Sequence, residues 1–245
     1  MMQASKGKLV VAKTVSSIVE DLLEEVEVLG VGTGSTVKLV LEYLAQSRKA
    51  LNLLRSKTII ASSYDTLYFL ESMGVHASLT LPAREIDLYF DGADEVSITD
   101  CSMVKGRGAA LLREKILAYN ARNVIIAVDE TKVSRVLGEK GKAVPVEVLP
   151  YALKAVEKVI SSWGVKCRVR TCDCKDGPII TDSFGAIIDT WPWQVLNYTE
   201  YAKRLRELPG VIEHGLFIGY ANLIVIGYND GSIEVIKCKR SRSRV

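Results

Sequence analysis

Residues 88–115 read LYFDGADEVSITDCSMVKGRGAALLREK. The apolar run from Ile86 to Phe90 breaks off at Asp91-Gly92-Ala93-Asp94-Glu95, the pattern of a buried strand that feeds a turn. Three acids within five residues then stand at the strand's carboxyl end, which is where ligands bind in open α/β sheets. A second turn, Lys105-Gly106-Arg107-Gly108, opens a run of helix formers from Ala109 to Ala118 that carries Arg113, Glu114 and Lys115 in its early turns. Carboxylates, a lysine and glycine-freed backbone amides so close along the chain can move protons and hold an anion.

Towards the N-terminus, strands and helices alternate around this core. Residues 9–26 predict a helix with Val10, Val11, Val15, Ile18, Val19, Leu22 and Leu23 as its apolar stripe. A short strand over 26–31 runs into Gly32-Thr33-Gly34-Ser35-Thr36 and a helix over 37–46. Glycine lets the backbone approach an anion closely, and a helix N-terminus offers free N–H groups, so this turn is a candidate phosphate cradle. It lacks the Walker lysine and the third-glycine spacing of the dinucleotide fingerprint. Alone, it reads equally well as a tight turn capped by Ser35 or Thr36. Strands at 58–61 and 75–79 flank a helix closed by Gly74, and another apolar strand at 124–128 ends in Asp129-Glu130-Thr131-Lys132. The alternation predicts an α/β fold: a doubly wound, Rossmann-like, mainly parallel sheet.

After Lys132 the texture changes. A strand at 144–148, a helix from Pro150 to Ser162, short strands at 165–170, 178–181 and 186–189, and a helix over 197–208 fit a small ferredoxin-like α+β unit. The expected domains are therefore 1–133 with 211–245, a Rossmann-like catalytic domain, and 134–210, a smaller domain suited to oligomer contact. Asn229-Asp230-Gly231 is a hairpin signal between apolar strands at 223–226 and 233–236. The tail, Lys237 to Val245, carries five basic residues in nine and reads as a solvated end.

The 245 residues can bury one large core or two modest ones, and 48% hydrophobic with 25% charged residues is ordinary for a globular protein. A net charge of +3 is too small to argue for nucleic acid, and no apolar run approaches a membrane span. The N-terminus mixes acids and bases, unlike a signal peptide, which points to the cytoplasm. Five cysteines, an odd count, point to free thiols, and Cys172-Asp-Cys174 reads as loop cysteines in a turn, without the four-ligand pattern of a metal site. His76 and His214, the only histidines, have no partner at metal-binding spacing, so acid–base work falls to carboxylates and lysines.

The motifs GVGTGSTV from Gly30, DGADEV from Asp91, KGRGAALLREKI from Lys105, VDETK from Val128, PVEVLP from Pro145 and PGVIEHGLF from Pro209 occur in order along nearly the whole chain. In them the sequence resembles ribose-5-phosphate isomerase, type A. The resemblance implies interconversion of ribose 5-phosphate and ribulose 5-phosphate through an enediolate, with no metal and no cofactor. It implies Glu114 as general base, Lys105 and the amides around Gly106 and Gly108 as stabilisers of the enediolate, and Asp91 and Asp94 as acids that engage sugar hydroxyls. Thr33, Gly34, Ser35, Thr36 and Lys132 match substrate positions, including the phosphate end. Gly92, Ala93 and Arg107 complete the expected contact set. The expected partner is a small sugar phosphate, with no nucleic acid and no membrane, in a homodimer or homotetramer.

Three positions depart from the family pattern. Arg107 replaces the middle glycine of a KGGG loop, Thr181-Asp182-Ser183-Phe184-Gly185 replaces TDxGN, and His214 stands where Asn is usual. The competing readings are a non-catalytic sugar-phosphate sensor, which would not need Glu114, and an acyl or CoA transferase using a glutamate nucleophile. The absence of room for a helix-turn-helix argues against the first, and the pairing of DGAD with KGRG against the second.

Overall fold

The computed structural model describes residues 4–241. Ser5 accepts from the Lys8 N–H and starts α1 (Lys6–Leu22), whose Val11, Ala12, Val15 and Val19 recur at helical spacing and are fully buried. There follow β1 (Val28–Val31), α2 (Ser35–Gln46), α3 (Arg48–Ser56), β2 (Thr58–Ala61), α4 (Tyr64–Ser72) and β3 (Ile86–Asp91). Next come β4 (Glu95–Ser97), β5 (Met103–Val104), α5 (Leu111–Asn120), β6 (Ala121–Asp129), a 3-10 turn (Glu130–Lys132), β7 (Val133–Ser134) and β8 (Val144–Val148). A 3-10 turn (Pro150–Ala152) leads into α6 (Leu153–Ser162), then β9 (Lys166–Val169), β10 (Thr171–Cys172), β11 (Lys175–Pro178) and β12 (Ala186–Trp191). The chain ends with α7 (Tyr198–Glu207), β13 (Val211–His214), β14 (Leu216–Phe217), β15 (Leu223–Gly227) and β16 (Ile233–Lys237).

The chain divides into two compact units. The first takes the chain up to Ala93, Ile116–Val133 and Tyr220–Arg240. Its sheet has the order β16-β15-β6-β3-β1-β2, parallel throughout except for β16 at one edge. The mainly parallel, doubly wound sheet is thus present. Leu29, Leu88, Phe90, Ile125 and Val225 belong to its buried core, as expected for strands covered on both faces. The expected strand at 75–79 is not formed. Val75 is buried, but that segment contributes only a bridge between Ser78 and Ile60. Helix α3, which the hydrophobic pattern did not announce, is capped by Ser47, whose hydroxyl accepts from the Ala50 N–H.

The second unit takes Asp94–Lys115 and Ser134–Gly219. Its larger sheet has the order β13-β8-β12-β9 and is antiparallel, and with α6 and α7 it makes the β-α-β-β-α-β ferredoxin-like arrangement. A small sheet runs β14-β5-β4-β7. The stretches 94–115 and 211–219 therefore group with this unit, whereas the sequence pattern assigned them to the Rossmann-like domain. The reason is pairing: β13 hydrogen-bonds to β8, and β14 to β5.

Two smaller expectations are corrected. Cys172 and Cys174 are joined by a disulfide across the β10–β11 hairpin, Cys101 and Cys238 are also disulfide-bonded, and Cys167 is a free thiol. The basic tail does not simply fray. The Arg240 guanidinium donates to the carbonyls of Ala118 (2.6 Å) and Arg122 (3.0 Å), and also to those of Tyr119 and Ala121, so it caps the C-terminal end of α5. Residues 242–245 of that tail lie outside the described residues. Among the described residues, no helix is long and apolar enough to cross a membrane.

Candidate active site

In the first unit the site is built on the carboxyl ends of β1, β2 and β3. Tyr89 and Asp91 alternate to the same face of β3, and the Tyr89 hydroxyl donates to Asp91 Oδ2. The other oxygen, Oδ1, accepts from the N–H groups of Thr33 (3.2 Å) and Gly92 (2.7 Å). Asp91 is fully buried, so these donors replace the water it has lost. Gly32 makes the approach possible, since a Cβ there would lie 2.0 Å from the Asp91 carboxyl carbon. The carboxylate at the end of β3 thus holds the loop after β1 in place.

That loop leads into α2. Gly34, at φ +123°, is its N-cap residue, and Ser35 and Thr36 form its first turn. The Lys8 ammonium reaches across from α1 and donates to Ser35 Oγ at 2.5 Å. Thr33 Oγ1 lies 2.6 Å from Ser62 Oγ, 2.7 Å from Ser63 Oγ and 3.2 Å from Thr66 Oγ1, and the Thr66 hydroxyl in turn donates to the Gly32 carbonyl at 2.7 Å. Helix-start amides, a lysine and a bank of hydroxyls thus gather at the end of β1, donors of the kind an anion cradle would use. Lys132 closes the 3-10 turn after β6, two strands from β1 in the same sheet.

In the second unit, Lys105 follows β5, and Glu114 lies in the first turn of α5. Their side chains meet, with Lys105 Nζ 3.2 Å from Glu114 Oε2, and only 3% and 5% of them are exposed. A buried carboxylate with an ammonium beside it is shielded from water and matched to a cation, the setting a general base would need. Between them the chain makes the Gly106–Ala109 turn. Gly106 has φ +104°, and a Cβ there would sit 2.8 Å from Leu111 Cβ, so only glycine fits. Ala109 takes φ +58°, uncommon for a residue with a side chain and common where sites hold backbone in place. The Arg107 N–H donates to Asp94 Oδ2 at 2.9 Å, while its guanidinium, 80% exposed, stands 3.8 Å from Oδ1.

A second buried lysine lies beside this pair. Lys115 Nζ donates to Glu213 Oε1 (2.8 Å) and to the His214 carbonyl (2.5 Å), and it stands 4.8 Å from the centre of the Phe217 ring. Lys105 Nζ stands 5.6 Å from the same ring. Burial lowers the Lys115 ammonium to about 8, against the pull of Glu213. Burial, with Lys115 and Arg206 nearby, holds His214 well below the usual histidine range, so it is neutral at pH 7. The TDSFG turn is also formed. Thr181 Oγ1 donates to Glu147 and accepts from the Ser183 and Gly185 N–H groups, while Phe184 takes φ +63° with its ring out in solvent.

Each unit therefore gathers part of the expected set: Thr33 to Thr36 with Asp91 in the first, and Asp94, Lys105, Gly106 to Gly108 and Glu114 in the second. The sequence reading passed over Lys8, Ser62, Ser63 and Thr66. Ser62 and Ser63 follow β2 directly and Thr66 lies in the first turn of α4, and their place near a strand's carboxyl end was the signal available. Lys8 carried no signal, because a lysine in a first helical turn reads as solvated.

The sequence profile described as "Ribose 5-phosphate isomerase A (phosphoriboisomerase A)" matches residues 58–231. A protein of Borrelia hermsii named ribose-5-phosphate isomerase A is 39% identical over 210 residues, which cover 85% of this chain and 90% of that protein. A solved structure of ribose 5-phosphate isomerase A from Methanocaldococcus jannaschii is 33% identical with a TM-score of 0.81, covering 94% of this chain and 97% of that one. A D-ribose-5-phosphate isomerase solved in complex with phospho-erythronic acid is 30% identical with a TM-score of 0.82, covering 96% of this chain and all of that one.

Proposed function

The chain belongs to the ribose 5-phosphate isomerase A family and interconverts D-ribose 5-phosphate and D-ribulose 5-phosphate, and from that premise we propose that Glu114 is the base of the reaction. The carrying observation is the buried Lys105–Glu114 pair at 3.2 Å. In the open-chain aldose, Glu114 removes the C2 proton, the electron pair forms the C1–C2 double bond, and the O1 carbonyl becomes an enediolate oxygen. Lys105 and the loop N–H groups receive that charge. Glu114 returns the proton to C1 as the C2 carbonyl forms, and Asp94 carries the proton between the two oxygens. Asp91, buried and accepting from Tyr89, Thr33 and Gly92, orients the β1 loop that faces the sugar. The phosphate end is assigned to Thr33–Thr36, with Lys8 and Lys132 as its cations.

A non-catalytic sensor would have no use for a buried carboxylate–ammonium pair. We place the enzyme in the cytoplasm, because its ionised substrate does not cross a bilayer unaided. We also assign it a homo-oligomeric state, supported by the exposed apolar side chains of Leu149, Tyr151, Ile180 and Phe184 in the second unit.

The test is ketose formation from ribose 5-phosphate in the presence of EDTA. A positioned base contributes roughly 10²–10⁴ in rate, so Glu114→Gln is expected to lower kcat by that factor. Turnover surviving in the variant would move the base to another carboxylate.

A further inference from the structure

Arg170, one residue past β9, touches the lysine loop from behind. Its Nη1 donates to the Gly106 carbonyl at 2.9 Å and to the Arg107 carbonyl at 3.0 Å. The other side of the same guanidinium is locked. Nε donates to Asp189 Oδ2 at 2.9 Å and Nη2 donates to Asp189 Oδ1, a two-point pairing on β12. Only 13% of the Arg170 side chain and 10% of that of Asp189 are exposed, so the pair is shielded from competing water. The arginine is itself anchored by its backbone, whose N–H donates to the Ile187 carbonyl at 2.8 Å.

The consequence lies on the opposite face of the loop. In a trans peptide the C=O and the next N–H point in opposite directions, and no cis peptide bond occurs in the described chain. A guanidinium that collects the carbonyls of residues 106 and 107 therefore turns the N–H groups of residues 107 and 108 away from itself. One of these, the Arg107 N–H, does reach Asp94 at 2.9 Å. The Gly108 N–H is turned the same way, on an exposed residue with no side chain to cover it.

We propose that Arg170, held by Asp189, is a positioning residue for the isomerisation: it keeps the Arg107 amide on Asp94 and turns the Gly108 amide towards the charge that develops on the enediolate. Arg170 touches no reacting atom in this scheme. The inference rests on the reading of Lys105, Glu114 and the loop amides given above. Lysine cannot replace it, because a point ammonium cannot hold two carbonyls and a bidentate carboxylate at once.

The amides matter most where charge has developed, so their loss falls on the transition state and spares substrate binding. Arg170→Gln is expected to lower kcat by about 10²-fold, with KM for ribose 5-phosphate changed by less than about threefold. The inhibition constant of 4-phospho-D-erythronate, a sugar-phosphate analogue that carries a carboxylate, is expected to rise with the loss of kcat/KM. Binding of inorganic phosphate stays unchanged. Asp189→Asn, which keeps one acceptor, is expected to lose about tenfold, and Arg170→Lys to recover little of the loss. Guanidinium ion added to Arg170→Gly is expected to restore part of kcat, and urea at the same concentration none.

All rates are normalised to the folded fraction. A kcat within threefold of wild type in both Arg170→Gln and Asp189→Asn overturns the proposal, as does full rescue by lysine. Should both variants fail to fold, the arginine serves the fold rather than the amides, and the proposal is likewise overturned. Glu114→Gln is assayed in parallel. If that variant keeps wild-type turnover, the site reading falls whatever Arg170 does. If it is inactive while the Arg170 variants are not, the proposal made here falls alone.

Discussion

His214 is 2% exposed, and its Nδ1 accepts from the Leu216 N–H at 3.3 Å. Lys115, Glu213 and Arg206 face it, and burial together with the two cations keeps it neutral far below the usual histidine range. The folded chain therefore refuses a proton that the unfolded chain accepts near pH 6.5. The unfolded state then binds more protons, so stability falls as pH drops below that value and is unaffected above it. The slope for one such group approaches about 1.4 kcal/mol per pH unit. His214→Asn is expected to leave the urea midpoint at pH 8 nearly unchanged and to flatten its decline between pH 6.5 and 5. A variant whose decline parallels that of the wild type would place the acid sensitivity elsewhere. The residue string marked position 214 as a departure, and it marked Glu114 and Lys105 through their motifs. It could not show that a second buried lysine, Lys115, lies against the same histidine, because that contact is made by a strand about a hundred residues further on.

Between elements of the first unit, α1 and β15 meet backbone to backbone. A Cβ on Gly7 would lie 2.6 Å from the Gly227 carbonyl oxygen, and one on Gly227 would lie 2.1 Å from the Gly7 carbonyl oxygen. The contacted atoms are backbone, so neither side can yield by a rotamer change. The Gly7 N–H is also held by Asn229 Oδ1 at 3.0 Å, in the turn before β16. This seat fixes the first turn of α1, and with it Lys8, whose ammonium reaches the start of α2. Gly7→Ala is expected to tilt that turn away, at a cost of about 1–3 kcal/mol in stability. If Lys8 binds the phosphate, KM for ribose 5-phosphate rises about tenfold while kcat changes little, the signature of lost uniform binding. A lowered melting temperature with unchanged KM would remove Lys8 from the phosphate site. Elements of this unit were legible where burial is continuous, as in β1, β3 and β6. The 75–79 segment shows the limit: its alternating apolar residues fit a strand, but the sheet offers it one bridge and no ladder.

At the scale of the whole chain, each unit is assembled from separated stretches, and local pattern does not report which stretch joins which. Asp91 and Asp94 are three residues apart, yet the pairing of β4 with β5 and of β5 with β14 places Asp94 in the second unit and leaves Asp91 in the first. The ferredoxin-like order was readable from helix and strand alternation over 144–208, but its fourth strand, β13, is defined by hydrogen bonds to β8. The cysteines pose the same problem, since their spacing matches no motif and an odd count pointed to free thiols. Four of the five are disulfide-bonded, and Cys167 alone is free. A reducing cytoplasm opposes exposed bridges, and Cys174 is exposed, so the thiol state depends on how the protein is handled. Protein purified in air and denatured without reductant is expected to show one titratable thiol per chain, and five after reduction. Chains alkylated inside intact cells before lysis are expected to show more than one, if the enzyme works in the cytoplasm. Five thiols in the air-purified, unreduced protein would remove the disulfide bonding. One thiol in both preparations would keep the bridges and overturn the cytoplasmic placement.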